Sequence, residues 1–427
     1  MKAVVVVGRG YPNLLSMVYE AGVAGADVYV VRPDYPSGGF DGKFKRMGLE
    51  QYSKYLKKIY AKNTKNNEVE IWKLIQSASC EISNTGQYEK IVFLPTDDRC
   101  ALILNQHKDD FSQMFVFNGI GRNGRGDYAW LANKARQKSL AKRYGIDVAE
   151  GVEINLNSSG CQGEYGGPFP CVIKIARSID FYTPTKGIVA ICKTRQSLDD
   201  TIESIRREKY VESVIVEQLL PIEKQFGLAG VCSDGHVLGM GCFRKDLVGS
   251  GERVGVTVTG AVVDVASISG LFDFENRVHE MMEGIGYNGM FDIDIIYSNE
   301  KYYLVEINVR VGAFAFSVVN AGVDFISLYL RTTDDLRGNQ VVRPNLFGVK
   351  ALNERALLEE FAEGKITAIR YFYELWTAPS RKIRNVLDCR PYDVFTQKAH
   401  WGLLKHFLLP VIAVRRAYRR LREQTGK

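Results

Sequence analysis

No stretch of this chain comes near the roughly 20 consecutive apolar residues that a membrane-spanning helix requires, so a helical membrane protein is not expected. Its eight cysteines (Cys80, Cys100, Cys161, Cys171, Cys192, Cys232, Cys242 and Cys389) contain no Cys-x-x-Cys spacing and mostly sit inside apolar runs. They read as reduced core thiols, which implies a cytosolic setting. Histidine is scarce: His107, His236, His279, His400 and His406 form no cluster at catalytic spacing, and no Ser/His/Asp arrangement accompanies them. The opening stretch MKAVVVVGRGYPN has one Lys and a short apolar run leading into a glycine turn. It lacks a signal-peptide cleavage region and is expected to form a first strand.

Excess charge is confined to one end. The formal net charge is +7, yet Arg381 to Lys427 alone holds 12 Lys+Arg against 3 Asp+Glu, a net of +9. The other 380 residues therefore carry −2, so a nucleic-acid-binding core is not expected. What is present is ordinary globular material, 46% apolar and 25% charged, with 427 residues to build two or three domains.

Residues 1–125 alternate strand and helix signals. Ala3 to Val7 is a continuous apolar run of the kind a buried parallel strand needs, ending in Gly8-Arg9-Gly10. A helix over Leu14 to Ala24, strands over Asp27 to Val31 and Lys90 to Leu94, and a helix from Arg99 to His107 follow. Polar residues stand where the strands end, at Arg32-Pro33-Asp34 and Pro95-Thr96-Asp97-Asp98, which is where α/β sheets bind ligands. The glycine turn is a weak dinucleotide signal, because Asn13 stands where the third glycine of the fingerprint belongs. The turn is either structural or a contact for a small substrate.

One helix is predicted from Tyr128 to Tyr144, with Lys134, Arg136, Lys138, Lys142 and Arg143 on a solvated face. A glycine-rich approach, Gly160 to Gly167, leads to a strand from Pro170 to Ala176 with Lys174 embedded in it. A lysine in an apolar strand costs desolvation unless it meets an anion, so Lys174 is expected to have an anionic partner. The turn-rich loop Arg177 to Gly187 either closes over phosphates through backbone amides and Lys186 or is a plain connection. After a helix from Ser197 to Lys209, the strand Ser213 to Leu220 carries Glu217 among apolar residues. Strands are then predicted at Lys224 to Val231, His236 to Lys245 and Val254 to Val258, and helices at Leu271 to Gly284 and Ser317 to Leu330.

Between those two helices lies the most informative stretch, NGMFDIDIIYSNEKYYLVEINVRVGAFAF. It reads as a hairpin turning at Ser298-Asn299-Glu300-Lys301, with polar groups where a core strand should have none. Glu306, Asn308 and Arg310 recur at period 2 and so share a face, across from Asp292 and Asp294. Two carboxylates and an amide oxygen suit Mg²⁺, and an Arg beside them suits a phosphate that shares the metal. The alternative is an edge strand with a solvated charged face.

Taken in order, Lys134, Lys174, Glu217, Asp294 and Glu306-x-Asn308-x-Arg310 resemble the ATP-grasp superfamily over roughly residues 1–330, and within it, more weakly, the D-aspartate ligases of bacterial cell-wall assembly. The resemblance implies an α/β and α+β architecture: a Rossmann-like pre-ATP-grasp domain (1–125), a small lid-like domain (126–220), a mixed α+β catalytic domain (221–330) and a basic extension (331–427). It implies ATP with Mg²⁺, or Mn²⁺ in its place, and amide formation between a carboxylate, an amino acid, and an amine through an acyl phosphate. By it, Lys134 and Lys174 bind phosphates, with Lys186 in the loop and Lys245 or Arg244 as further contacts. Glu217 accepts from the adenine amino group, and the backbone of Gln218 to Leu220 completes the hinge. Glu223 is the nearest candidate for the ribose. Asp294, Glu306 and Asn308 hold the metal, with Asp294 preferred over Asp292, and Arg310 stabilises the transferred group. Ile175 stands where the family often has proline. Rival readings are an accessory nucleotide-binding protein with a degenerate site, a carboxylase of the same superfamily, and a Rossmann-type dehydrogenase.

In the tail, Leu404, Phe407, Leu408, Val411, Val414, Tyr418 and Leu421 recur at helical spacing beside five arginines, with Pro410 near the start. Such a segment either lies on an anionic membrane surface or docks on the protein or a partner subunit. Oligomeric state is not legible in the sequence.

Overall fold

The strand Ala3 to Val7 is wholly buried, because helices cover both faces of the parallel sheet it centres. The protein, a computed structural model, is described over residues 2–8, 13–33, 50, 53–65, 67–119, 121, 127–157, 164–177, 189–207, 211–233, 235–249, 257–310, 312, 314–330 and 340–377. Arg9, Gly10, Lys186, Cys161, Cys389 and the basic tail lie outside these residues.

The first unit is β1 (Lys2–Val7), α1 (Asn13–Val23), β2 (Asp27–Pro33), β3 (Leu56–Lys62), α2 (Glu68–Ser83), β4 (Lys90–Pro95), α3 (Asp98–Gln106) and β5 (Phe115–Phe117). Its sheet is parallel in the order β3-β2-β1-β4-β5, so the chain reverses direction across the sheet between β1 and β4. Gly8, at φ +140°, packs against Thr96 and Asp97 there, and any Cβ would collide with them. The crevice at the carboxyl ends of β1 and β4 is where such sheets hold ligands.

The chain continues through α4 (Tyr128–Leu131), α5 (Lys134–Arg143) and β6 (Asp147–Val148). The single helix expected over Tyr128 to Tyr144 is therefore two. Asn133 breaks it by capping α5, its side chain accepting from Ala135 N at 2.9 Å and Arg136 N at 3.0 Å. A four-stranded antiparallel sheet of β7 (Gly151–Asn155), β8 (Cys171–Ile175), β9 (Val189–Cys192) and β10 (Ser213–Gln218), in the order β7-β10-β8-β9, carries α6 (Arg195–Arg206) and has its own apolar core.

The largest sheet is built from β11 (Lys224–Ser233), β12 (His236–Val248), β13 (Thr257–Val263), β14 (Gly289–Ser298) and β15 (Lys301–Asn308), with α7 (Leu271–Gly284) between β13 and β14. Helices α8 (Ala315–Asn320) and α9 (Phe325–Leu330) follow, split where one helix was predicted by Gly322 at φ +110°. Then come β16 (Lys350–Leu352), α10 (Glu354–Ala362) and α11 (Ala368–Thr377). The sheet order is β16-β13-β12-β11-β14-β15-β6. Two strands join this sheet from segments grouped elsewhere in the sequence reading. β6, from the segment assigned to the lid, pairs with β15, and β16, assigned to the extension, pairs with β13 and buries Ala351 in the core. Asn299 and Glu300 both have positive φ, 47° and 61°, which makes the hairpin turn a two-residue connection of the type that suits strand twist.

Of the cysteines, Cys80, Cys100, Cys171, Cys192, Cys232 and Cys242 are free thiols, and all but Cys80 are buried. Among the described residues no helix is long and apolar enough to cross a membrane.

Candidate active site

The oxygen face of the hairpin depends on one extra residue. On β14, Ile293 and Ile295 point into the core while Asp292 and Asp294 take the opposite face. Asp294 pairs with Glu306 and Asp292 with Asn308, but Ile295 pairs with Leu304, so Val305 has no partner across the ladder. Before this bulge Tyr302 and Leu304 are core residues; after it Ile307 and Val309 are. Strict alternation from Leu304 would have sent Glu306 and Asn308 into the core. The bulge turns them to the cleft.

Helix α5 is clamped at this point. Gln137 donates from Nε2 to Ile307 O at 2.8 Å, and its Oε1 accepts from Ile307 N at 2.8 Å. Its first residue, Lys134, reaches Glu306 at 2.9 Å. One turn on, Lys138 is an i+4 neighbour on the same face. It is mostly but not fully enclosed, with its ammonium on Glu217 and a further hydrogen bond to Ala149 O at 3.2 Å. The solvated surface expected for Lys138 is corrected accordingly. Lys174 has the anionic partner its position demanded: it ion-pairs with the other oxygen of Glu217. Burial holds Lys138 below its ordinary value against the pull of Glu217.

Lys245 on β12 ion-pairs with Asp294. Burial alone would lower the Lys245 pKa, but Asp294 outweighs it and holds the ammonium above its ordinary value. Arg310 donates from Nε to Asp98 at 2.8 Å, which ties the hairpin to the start of α3 in the first unit. Burial disfavours its charge, yet Asp98 more than compensates and raises its pKa. Asp292 is pushed up to about 7 by burial and then by the neighbouring Asp294.

Five strands, one helix and the segments just after β10 and β15 thus deliver Lys134, Lys174, Glu217, Gln218, Leu220, Lys245, Asp294, Glu306, Asn308 and Arg310 to a single cleft of about 840 Å³. Its other wall is apolar and open, with Ile191 of the lid sheet and Ile222 after β10 more than half exposed. An exposed apolar wall in a concave site suits a flat, weakly polar ring. Glu223 is not brought in. Its carboxylate accepts from Asn299 N at 2.8 Å at the hairpin turn, outside the cleft lining. Arg244 points to Asp246 and is half exposed. Among the described residues no three side chains of His, Cys, Asp and Glu converge on one point. A second, polar cleft of about 650 Å³ between Arg136, Glu153 and Arg177 contains none of the expected site residues.

The sequence reading leaves Lys138 on a solvated face, gives Asp98 no role beyond a polar strand end, and prefers Asp294 to Asp292. Lys138 was detectable as the i+4 partner of Lys134 once Asn133 is taken as the cap. Asp98 stands at a strand's carboxyl end, and Asp292 shares the face of Asp294.

The three sheets and their order form a mixed α/β fold, with a Rossmann-like first unit and a separate small sheet, that matches ATP-grasp proteins of known structure. Solved structures with this fold include an L-amino acid ligase from Bacillus licheniformis, at TM-score 0.53 and 12% identity over 81% of this chain and 78% of that one. The biotin carboxylase domain of the Hydrogenobacter thermophilus 2-oxoglutarate carboxylase, solved with MgADP and bicarbonate, matches at TM-score 0.57 and 14% identity over 80% and 73%. Campylobacter jejuni biotin carboxylase matches at 0.55 and 13% over 81% and 73%. In sequence, the chain is 27% identical over 229 residues to an L-propargylglycine–L-glutamate ligase of Streptantibioticus cattleyicolor. The match spans 47% of this chain and 47% of that relative, so the chain covers about half the relative's length. No family model matches the chain.

Proposed function

We propose that the protein is an ATP-dependent carboxylate–amine ligase that joins an amino acid to an amine. The observation that carries this reading is the convergence of Lys134, Lys174, Lys245 and Arg310 over the oxygen face of Asp294, Glu306 and Asn308 in one cleft. Phosphoryl and acyl transfer of this kind depends on positioning and charge cancellation, so no side-chain nucleophile is required.

The residues fit a divalent cation. Asp294 and Glu306 stand opposite each other in the ladder with Asn308 beside them, which are hard oxygen donors of the kind Mg²⁺, or Mn²⁺, takes. Each carboxylate already carries a positive partner, Lys245 and Lys134, so exchanging ammonium for metal keeps the face balanced. Bound there, ATP with its metal supplies a phosphoryl group to the substrate carboxylate, and the amine then displaces that phosphate as the amide forms. On this reading Lys134, Lys174 and Lys245 hold phosphate oxygens, joined by Lys186 of the loop. Glu217 accepts from the adenine amino group, with the Gln218 to Leu220 backbone beside it. Arg310, oriented by Asp98, cancels charge on the transferring group.

Two of the similar proteins are named for L-amino acids, whereas the hairpin sequence resembles D-aspartate ligases of cell-wall assembly. A coupled ADP-release screen should therefore cover D- and L-amino acids against a panel of amines. ADP release that requires one amino acid and one amine is the expected result. Glu306→Ala should lower it roughly 10²-fold or more with an unchanged circular-dichroism spectrum. Release that never exceeds background with any amino acid would return the protein to the accessory nucleotide-binding class, and bicarbonate-dependent release would make it a carboxylase.

A further inference from the structure

Helix α11 turns one face to the protein and leaves the other uncovered. Tyr371 stacks on Phe361 of α10 at 4.8 Å between ring centroids, and Glu374, three residues on, is buried. On the opposite face Ile369 is 84% exposed, Phe372 65% and Tyr373 53%. Their i, i+3, i+4 spacing makes one apolar stripe along the helix. Ile369 and Phe372 are the most exposed large apolar side chains among the described residues. Cations rim the stripe: Lys350 lies 6.0 Å and Arg370 5.8 Å from the centre of the Tyr373 ring.

Three covers for this stripe compete, and area and charge separate them. A second copy needs about 800 Å² per partner in an interface of standard size. Three partly exposed side chains of about 150–250 Å² each offer on the order of 400 Å². The chain's own tail, residues 378–427, follows α11 directly and holds the basic apolar series from Leu404 to Leu421. Docked on α11, its arginines would need carboxylates there. Of the described ones on this corner, Glu360 and Glu374 are buried, Arg370 pairs with Glu374, and Lys365 pairs with Glu363. An anionic bilayer instead offers a negative field to the tail and an apolar boundary to the stripe.

We propose that α11 and the basic tail together form a docking surface for an anionic lipid bilayer. The stripe enters the headgroup boundary, where an aromatic side chain such as Tyr373 is at home, and the arginines meet the phosphates. A short apolar stripe and a polybasic segment are each one weak signal, and stable attachment takes two. No residue lining the nucleotide cleft belongs to α10 or α11. The inference therefore stands apart from the ligase reading.

The test is co-sedimentation of the full-length protein with vesicles of phosphatidylcholine, alone or mixed with phosphatidylglycerol. Binding should require phosphatidylglycerol. It should fall when salt shortens the screening length from about 10 Å at 0.1 M to about 3 Å at 1 M. Ile369→Gln combined with Phe372→Gln keeps helix propensity and should weaken binding roughly tenfold or more. Replacing Arg415, Arg416, Arg419 and Arg420 with Gln should weaken it roughly 100-fold or more, at about fivefold per charge. Both variants should melt like wild type and release ADP like wild type with soluble substrates. A wild-type protein that stays in the supernatant with phosphatidylglycerol vesicles overturns the proposal. Full binding by the stripe variant overturns the part given to α11. A dimer in light scattering that the stripe variant abolishes, without vesicle binding, would assign the stripe to a second copy. A stripe variant that melts clearly lower would assign it to the chain's own tail.

Discussion

Glu217 accepts two ammonium groups, one from helix α5 and one from strand β8, and both lysines are nearly enclosed. A buried carboxylate with two partners survives the loss of one better than the loss of both. Lys138→Met should therefore cost about 1–3 kcal/mol in urea unfolding, because Lys174 remains. Lys174→Met should instead raise the KM for ATP, since Lys174 is the member proposed to reach phosphate. Elsewhere Glu20 on α1 is fully buried with neither oxygen bonded. Burial, and then the charge of Asp324, raise its pKa well above the usual carboxylate range. A raised folded-state pKa means the protein is stable with respect to this group below the unfolded pKa and loses that stability as pH climbs toward the folded one. Glu20→Gln should accordingly melt higher than wild type at pH 8, with the gain vanishing near pH 4 in parallel thermal scans.

At the level of elements, the hairpin turn places Glu300 at φ 61°, which a side chain resists. Glu300→Gly, giving the Asn-Gly pair this turn favours, should stabilise the protein by about 1 kcal/mol in chemical denaturation. Deleting Val305 tests the bulge directly. It would remove the extra residue and restore plain alternation with Leu304, Ile307 and Val309 still inward and Glu306 and Asn308 still toward the cleft. Nucleotide-dependent ADP release should therefore persist, with a loss of stability of about 1–2 kcal/mol as the ladder re-pairs. Much of this hairpin was legible beforehand: period 2 placed Glu306, Asn308 and Arg310 together, and apolar runs located β1, β4, β8 and β10. The bulge was not legible, because Val305 is as ordinary in a strand as the residues beside it. The break at Asn133 was hidden for another reason: the apolar spacing continues across it, and only the cap geometry reveals that Lys134 starts a helix. That Glu223 turns to Asn299 N was not legible either, because sequence order alone does not say which way a side chain leaves a turn.

Over the whole molecule, one apolar core joins β1, β2 and α1 of the first unit to β11, β12, α8 and α9 of the large sheet. The lid sheet buries its side chains in a core of its own, between Val152 and Val216. Such a unit should open separately from the rest. Hydrogen exchange followed by mass spectrometry should find β8 and β10 exchanging in their own cooperative step, and slowing when Mg²⁺ and an ATP analogue are added. Equal protection of lid and large sheet, with no change on adding nucleotide, would contradict that arrangement. The seam between the two bodies runs along α5, where Lys138 meets Glu217 and Asn133 donates to Glu153 at 3.2 Å. The Lys134 N–H donates to Ala176 O at 2.8 Å, and Asn133 bridges Arg177, two residues past the end of the strand that holds Lys174. Lys134 therefore joins the large sheet through Glu306 and the small sheet through Ala176, and Lys174 stands two residues before that joint. The two ammonium groups of the cleft are spaced by a shared hinge point of the backbone.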